Sequence, residues 1–222
     1  MGELVTFKSN GGTCAGYIAG EGGPGIVVIQ EWWGLNDHIK DVVDRFAAAG
    51  FVAIAPDLYH GESATEPDGA GKLMMALNLA EAGKDMSGAI DLLQQRTGRT
   101  NVGVVGFCMG GGLALVAACQ RPDAVAAVAP FYGLIPWAGA QPDWSALAAK
   151  VEGHYAANDG YFTPENAAAL QAQLRDLGKD ATLHVYPDTD HAFFNDTRPE
   201  VYDAAASATA WDRTLALFRT TL

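Results

Sequence analysis

The chain has 222 residues, 49% hydrophobic and 18% charged, and a net charge of −12 from 14 lysines and arginines against 26 aspartates and glutamates. This length suits one domain that buries a large core without disulfides or metal. The acidic balance excludes nucleic acid and anionic membrane as partners, since neither polyanion would be attracted.

The opening Met-Gly-Glu-Leu-Val-Thr-Phe-Lys lacks the charged-then-apolar order of a signal peptide, and no apolar run reaches membrane-spanning length. A cytoplasmic protein is expected. Residues 3 to 8 and 13 to 19 read as a hairpin turned at Asn10-Gly11-Gly12. Ile26 to Ile29 form the apolar heart of a strand over residues 25 to 30, buried on both faces. After Glu31-Trp32-Trp33-Gly34-Leu35, the spacing of Ile39, Val42, Val43 and Phe46 predicts a helix from about 37 to 49, ended by Gly50. Residues 51 to 55 give the next buried strand, closed by Pro56-Asp57.

Residues 58 to 71 are polar and glycine-bearing and read as a surface loop, followed by a helix over 72 to 95 with a break near Gly83. Val102, Val104 and Val105 mark a short strand, and Leu113 to Cys119 an apolar helix. Further strands are expected at 124 to 130, 150 to 156 and 181 to 186, and further helices at 164 to 177 and 199 to 218, with 131 to 144 as loop. Strands alternating with helices imply a mostly parallel sheet covered on both faces. Ligands of such sheets sit beyond the carboxyl ends of the strands. Glu31, Asp57, Cys108, Tyr132, Asp159 and His191 all follow predicted strands and should gather on that edge.

Between the strand at 102 and the helix at 113 stands Gly106-Phe107-Cys108-Met109-Gly110, the G-x-nucleophile-x-G pattern with cysteine as the central residue. Such a turn lifts the side chain to the mouth of the sheet and aims the Met109 N–H, at a helix N-terminus, toward the same spot. A nucleophile needs a base, and the base needs an acid to fix its tautomer. Chain order supplies Cys108, then Asp159, then His191. His38, His60, His154 and His184 are weaker candidates for the base, and Asp188 and Asp190 for the acid. Glu31 follows a buried strand and points to the same edge, where a carboxylate would raise the thiol pKa or accept its proton. The Trp32 N–H is the natural second oxyanion donor. Cys14 and Cys119 show no metal-ligand spacing and read as small core residues; an odd cysteine count fits no disulfide framework.

These residues resemble the dienelactone hydrolase (carboxymethylenebutenolidase) family of α/β-hydrolases over nearly the whole chain. The landmarks are Gln30-Glu31-Trp32-Trp33-Gly34-Leu35-Asn36, Ala55-Pro56-Asp57-Leu58-Tyr59, Gly106-Phe107-Cys108-Met109-Gly110-Gly111, Phe131-Tyr132-Gly133, Asn158-Asp159 and His191-Ala192-Phe193. The resemblance implies an α/β-hydrolase fold with an N-terminal β-hairpin and a Cys108–His191–Asp159 triad. It also implies that Glu31 pairs with the resting thiol. It further implies two arginines that bind a substrate carboxylate. At the position four beyond the histidine this chain has Asn195, and residues 57 to 80 hold Lys72 but no arginine. Asparagine offers hydrogen bonds without charge, so the reaction class carries over more firmly than the dienelactone specificity.

The expected reaction is hydrolysis of a lactone or activated ester, with no metal or organic cofactor. Trp32, Trp33, Tyr59, Tyr132, Phe193 and Trp137 are expected as pocket walls, Asn195 as a substrate contact, and Trp144 and Trp211 as packing. The expected partner is a small-molecule substrate, and a monomer is favoured. Two other readings compete: a broad carboxylesterase or thioesterase, and a non-catalytic binding protein on the same fold.

Overall fold

The computed structural model describes residues 2–9, 11–135 and 137–222. Eight strands form one sheet in the order β1-β2-β4-β3-β5-β6-β7-β8. β1 (Glu3–Ser9) and β2 (Gly12–Ala19) make the expected antiparallel hairpin, and β2 runs antiparallel to β4 (Val52–Pro56). Of its expected turn, Asn10 lies outside the described residues, while Gly11 has φ +103°. β3 (Gly25–Ile29), β5 (Val102–Phe107), β6 (Val125–Phe131), β7 (Lys150–Ala156) and β8 (Ala181–Tyr186) complete the parallel part. This is the mostly parallel α/β-hydrolase architecture expected from the sequence.

Two-sided burial explains the continuous apolar strands. Val27 and Ile29 of β3 face a core shared with α3 (Leu79–Thr97), α4 (Met109–Gln120) and α5 (Pro164–Asp176). Ile26 and Val28 face the opposite core, made with α1 (Asp37–Ala48) and α6 (Ala204–Thr221). The side-chain period of two assigns alternate residues to each layer, so both must be apolar.

Four boundaries differ from expectation. The loop expected to reach residue 71 gives way to α2 (Pro67–Ala76), because Pro67 enters at the first helical turn, where its missing N–H costs nothing. The break falls at Leu77-Asn78 instead of Gly83: Asn78 caps α3 by accepting from the N–H groups of Ala80 and Glu81. Gly83 stays helical because α4 packs close there, and a Cβ would lie 2.9 Å from Gln120 Oε1. α4 extends from Met109, four residues before the apolar run at Leu113, and its first turn is pressed against neighbouring backbone; a Cβ on Gly110 would stand 2.4 Å from the Gln30 carbonyl. The last helix starts at Ala204 because Asp203 caps it, accepting from the Ala206 N–H at 2.7 Å. No described helix is long and apolar enough to cross a membrane.

Candidate active site

The carboxyl edge of the sheet collects the chemistry. Cys108 ends β5 and caps α4 with φ 54° and ψ −119°, a conformation that L-residues rarely adopt. Its N–H donates to the Phe131 carbonyl at 3.0 Å, which ties the turn to β6. Small neighbours are mandatory: a Cβ on Gly106 would be 1.9 Å from the Gly110 carbonyl, and one on Gly133 would be 1.9 Å from that of Cys108. Tyr132 (φ 34°), directly after β6, and Ala192 (φ 69°), directly after His191, add two further positive-φ residues. Backbone strain is thus concentrated where the candidate site residues stand.

His191 Nδ1 and Asp159 Oδ2 are 2.7 Å apart. The other carboxylate oxygen of Asp159 accepts from the N–H groups of Tyr161 at 2.8 Å and Phe162 at 3.0 Å, so the acid is held by its own loop. Burial works against the Asp159 charge, but the bond to His191 and these two N–H groups outweigh it and lower its pKa. Burial likewise disfavours a charged His191, yet the bond to Asp159 and the adjacent Cys108 sulfur lift the imidazole to about 10. Cys108 is half-buried beside His191, and among the described residues both oxygens of Glu31 bond to groups other than its sulfur.

Glu31 is 1% exposed and both of its oxygens are engaged. Oε1 accepts from the Tyr132 hydroxyl at 3.4 Å, and Oε2 from the Asn195 amide at 2.9 Å. Burial, and then the Glu31 charge, push the Tyr132 phenol far above its ordinary range, so it stays a donor. Among the described residues the hydrogen-bond partners of the Glu31 carboxylate are Tyr132 and Asn195, where a pairing with the resting thiol was expected.

The backbone N–H groups of Trp32 and Met109 have no acceptor among the described residues. Trp32 sits in the tight turn after β3, where the Gly34 N–H returns to the Glu31 carbonyl at 3.4 Å, and Met109 opens α4. Trp32 and Trp33 are half-buried and meet edge-to-face at 5.1 Å. The Tyr59 hydroxyl contacts Met109 Sδ at 3.4 Å. Its loop is shaped by Asp57, whose carboxylate accepts from the N–H groups of Tyr59 and Gly61.

Three expected pocket contacts are corrected. Tyr132 and Phe193 are 0% exposed and Asn195 is 2% exposed, so they form a floor beneath the site. Asn195 has no free polar atom, because its Oδ1 accepts from Thr197 and its amide holds Glu31. Trp137 packs against the core, and Trp211 stacks on Phe194 and meets Phe46 at a tilt. Trp144, expected as packing, is 8% exposed and also lines a groove beside the site.

Sequence reasoning missed Tyr161 and Phe162, whose rings lie 5.5 Å and 6.1 Å from that of His191. The available signal was an aromatic pair two and three residues beyond Asp159. It also missed the surroundings of His38, which is buried on α1 with its Nδ1 3.6 Å from Asp196 Oδ1. Burial keeps His38 neutral, lowering its pKa against the pull of Glu31 and Asp196. The other histidines are engaged elsewhere: His60 with Asp85, His154 with Tyr186 and Thr214, and His184 with Glu152. Asp188 and Asp190 are exposed, whereas Asp159 is buried. Cys14 and Cys119 are buried, and desolvation raises their thiols to about 12 and about 11.

A family model described as the dienelactone hydrolase family matches residues 14–222. The chain belongs to the dienelactone hydrolase family. It is accordingly a hydrolase of the class that acts on carboxylic ester and lactone bonds. Protein usf of Aquifex pyrophilus is 37% identical to it, the match covering 99% of this chain and 98% of that one. A protein of Aquifex aeolicus (strain VF5), named by assignment as a carboxymethylenebutenolidase, is 34% identical over the full length of both. Among solved structures, a dienelactone hydrolase-like promiscuous phosphotriesterase from metagenomic libraries is 25% identical. It superposes with a TM-score of 0.86 over 100% of this chain and 98% of that one.

Proposed function

We propose that this family member hydrolyses lactones or activated esters through Cys108, His191 and Asp159. The observation that carries the reading is the Asp159–His191 pair, 2.7 Å between Oδ2 and Nδ1, beside a cysteine at the strained N-terminus of α4. With Nδ1 committed to Asp159, Nε2 is the ring nitrogen left to serve the thiol. Cys108 and Nε2 share one proton, which the raised basicity of His191 draws onto the imidazole, and the sulfur attacks the carbonyl carbon as the thiolate. The oxyanion is received by the N–H groups of Trp32 and Met109, a role supported by their lack of any other acceptor. His191 then protonates the leaving oxygen, the tetrahedral intermediate collapses, and a thioester remains on Cys108. A water molecule gives its proton to His191 and attacks the thioester, releasing the carboxylate and restoring the thiol.

Glu31 acts as a positioning group. Its oxygens are spent on Tyr132 and Asn195, which supports a carboxylate that braces the floor of the site over one that takes the thiol proton. A thiolate leaves readily, so an intermediate with a poorer leaving group reverts; enol lactones, aryl esters and thioesters are the favoured substrates. A broad carboxylesterase is the second reading. It is favoured by Asn195, which occupies the position expected to bind a substrate carboxylate and has its amide turned to Glu31. Cys108→Ala tests the mechanism: loss of aryl-ester hydrolysis is expected, and unchanged turnover would show that another group does the chemistry. Comparing charged dienelactones with neutral lactones separates the two substrate readings.

A further inference from the structure

A groove of about 500 Å³ runs between α5 and the segment after β6, and both of its walls begin at the candidate triad. One wall starts with Tyr161 and Phe162, whose N–H groups hold Asp159 and whose rings flank His191. The other starts with Leu134 and Ile135, immediately after Gly133, which packs directly on the Cys108 carbonyl. Farther out the groove is closed by Trp144 and by the exposed face of α5 at Ala169. Among the described residues no charged side chain lines it; its polar side chains, the amides of Gln141, Asn166 and Gln173 with Tyr161 and Trp144, are uncharged.

Position assigns the part of the substrate. The histidine that protonates the leaving oxygen must be within hydrogen-bond reach of it, so whatever that oxygen carries departs from the His191 side. Tyr161 and Phe162, which line the groove, lie against the His191 ring and so place the groove on that side. The geometry points to a leaving-group subsite for an uncharged aryl group, which makes open-chain aryl esters better substrates than small lactones. This inference rests on the proposed Cys108 mechanism and adds to it where the alcohol portion binds. Tyr161, 76% exposed, stands at the mouth, where an aryl ring passing into the groove would cover it.

Three acetate esters with one common acyl group test the subsite. They are 1-naphthyl acetate, a naphthyl acetate bearing a carboxylate on its distal ring, and trifluoroethyl acetate as an activated ester with a small leaving group. Ala169→Trp fills the groove from an exposed helical position. It should lower kcat/KM for 1-naphthyl acetate by roughly tenfold or more and leave trifluoroethyl acetate nearly unchanged. Ala169→Lys puts a cation on the wall and should raise the preference for the carboxylated ester over the neutral one by about threefold. Retained trifluoroethyl acetate hydrolysis shows that each variant is folded. The subsite is overturned if Cys108-dependent hydrolysis is present but Ala169→Trp affects both neutral esters equally or neither. It is also overturned if Ala169→Lys leaves the charge preference unmoved. Wild-type hydrolysis that persists in Cys108→Ala instead overturns the mechanism beneath it, so the two failures read differently.

Discussion

The floor and the wall of this site are built on opposite physical principles. The floor, Glu31 with Tyr132, Phe193 and Asn195, is buried, and its polar members are hydrogen-bonded to one another. The wall, from Tyr161 and Phe162 across to Leu134 and Ile135, is partly exposed and uncharged. A buried carboxylate tolerates little change, because each lost donor leaves charge without compensation in a low-dielectric setting. An open wall loses only contact area when it changes. The reaction is therefore expected to be sensitive to the floor and to the triad above it, and the choice of ester to the wall.

The largest effect expected is at the triad. His191→Gln should lower kcat/KM for an aryl ester by roughly 10³-fold or more, measured at saturating and limiting substrate. A variant within tenfold of the wild type would mean that the strained turn works without this base. The next effect belongs to the floor. Asn195→Ala removes the donor to Glu31 Oε2 and should cost about 1.5–3 kcal/mol of unfolding free energy in denaturant titration. Asn195→Asp, which sets a second carboxylate against Glu31, should cost more. Equal stability of all three proteins would place Asn195 outside the support of Glu31.

The Asp159–His191 pair also predicts a pH signature. Against the opposing effect of burial, Asp159 and the Cys108 sulfur lift His191 from 6.5 to about 10, so the folded state binds its proton more tightly. The stabilisation is full below 6.5 and is lost as pH rises through the folded value. The Tm advantage of the wild type over His191→Gln should therefore shrink steadily across that window; an advantage that grows toward alkaline pH contradicts the pairing. Asp159 has the opposite sign: its lowered pKa stabilises at neutral pH, and that contribution disappears in acid. The smallest effect is expected on the wall's supporting helix. Thr163 and Asn166 form a reciprocal cap on α5, and Thr163→Ala should cost about 1 kcal/mol without changing kcat for trifluoroethyl acetate.

The triad candidates were legible because each follows a strand, and strand ends are the most regular feature of this fold. Cys108 announces itself through the glycines at 106 and 110, which the tight approach of backbone requires. The three glycines that open α4 carry no helical pattern of their own; the carbonyls of Ile29, Gln30, Phe131 and Leu134 press on them and leave no room for side chains. Asn195 was legible as a departure from an expected arginine, but not as a holder of Glu31. That partnership spans 164 residues of chain and leaves no local pattern. Tyr161 and Phe162 were lost for a related reason. Aromatics in a loop carry no periodicity, and only the fold shows that they face His191.

Selective alkylation of Cys108 tests the central claim most directly. Cys14 and Cys119 are buried with raised pKa values, so they should be poor thiolates at neutral pH. Iodoacetamide treatment of the folded protein, followed by peptide mapping and an aryl-ester assay on the same samples, should give one label per chain. The label should be on Cys108, and activity should fall in proportion to it. Full labelling of Cys108 with activity intact, or labelling of Cys14 or Cys119 while Cys108 stays inert, would contradict the assignment of Cys108 as the nucleophile.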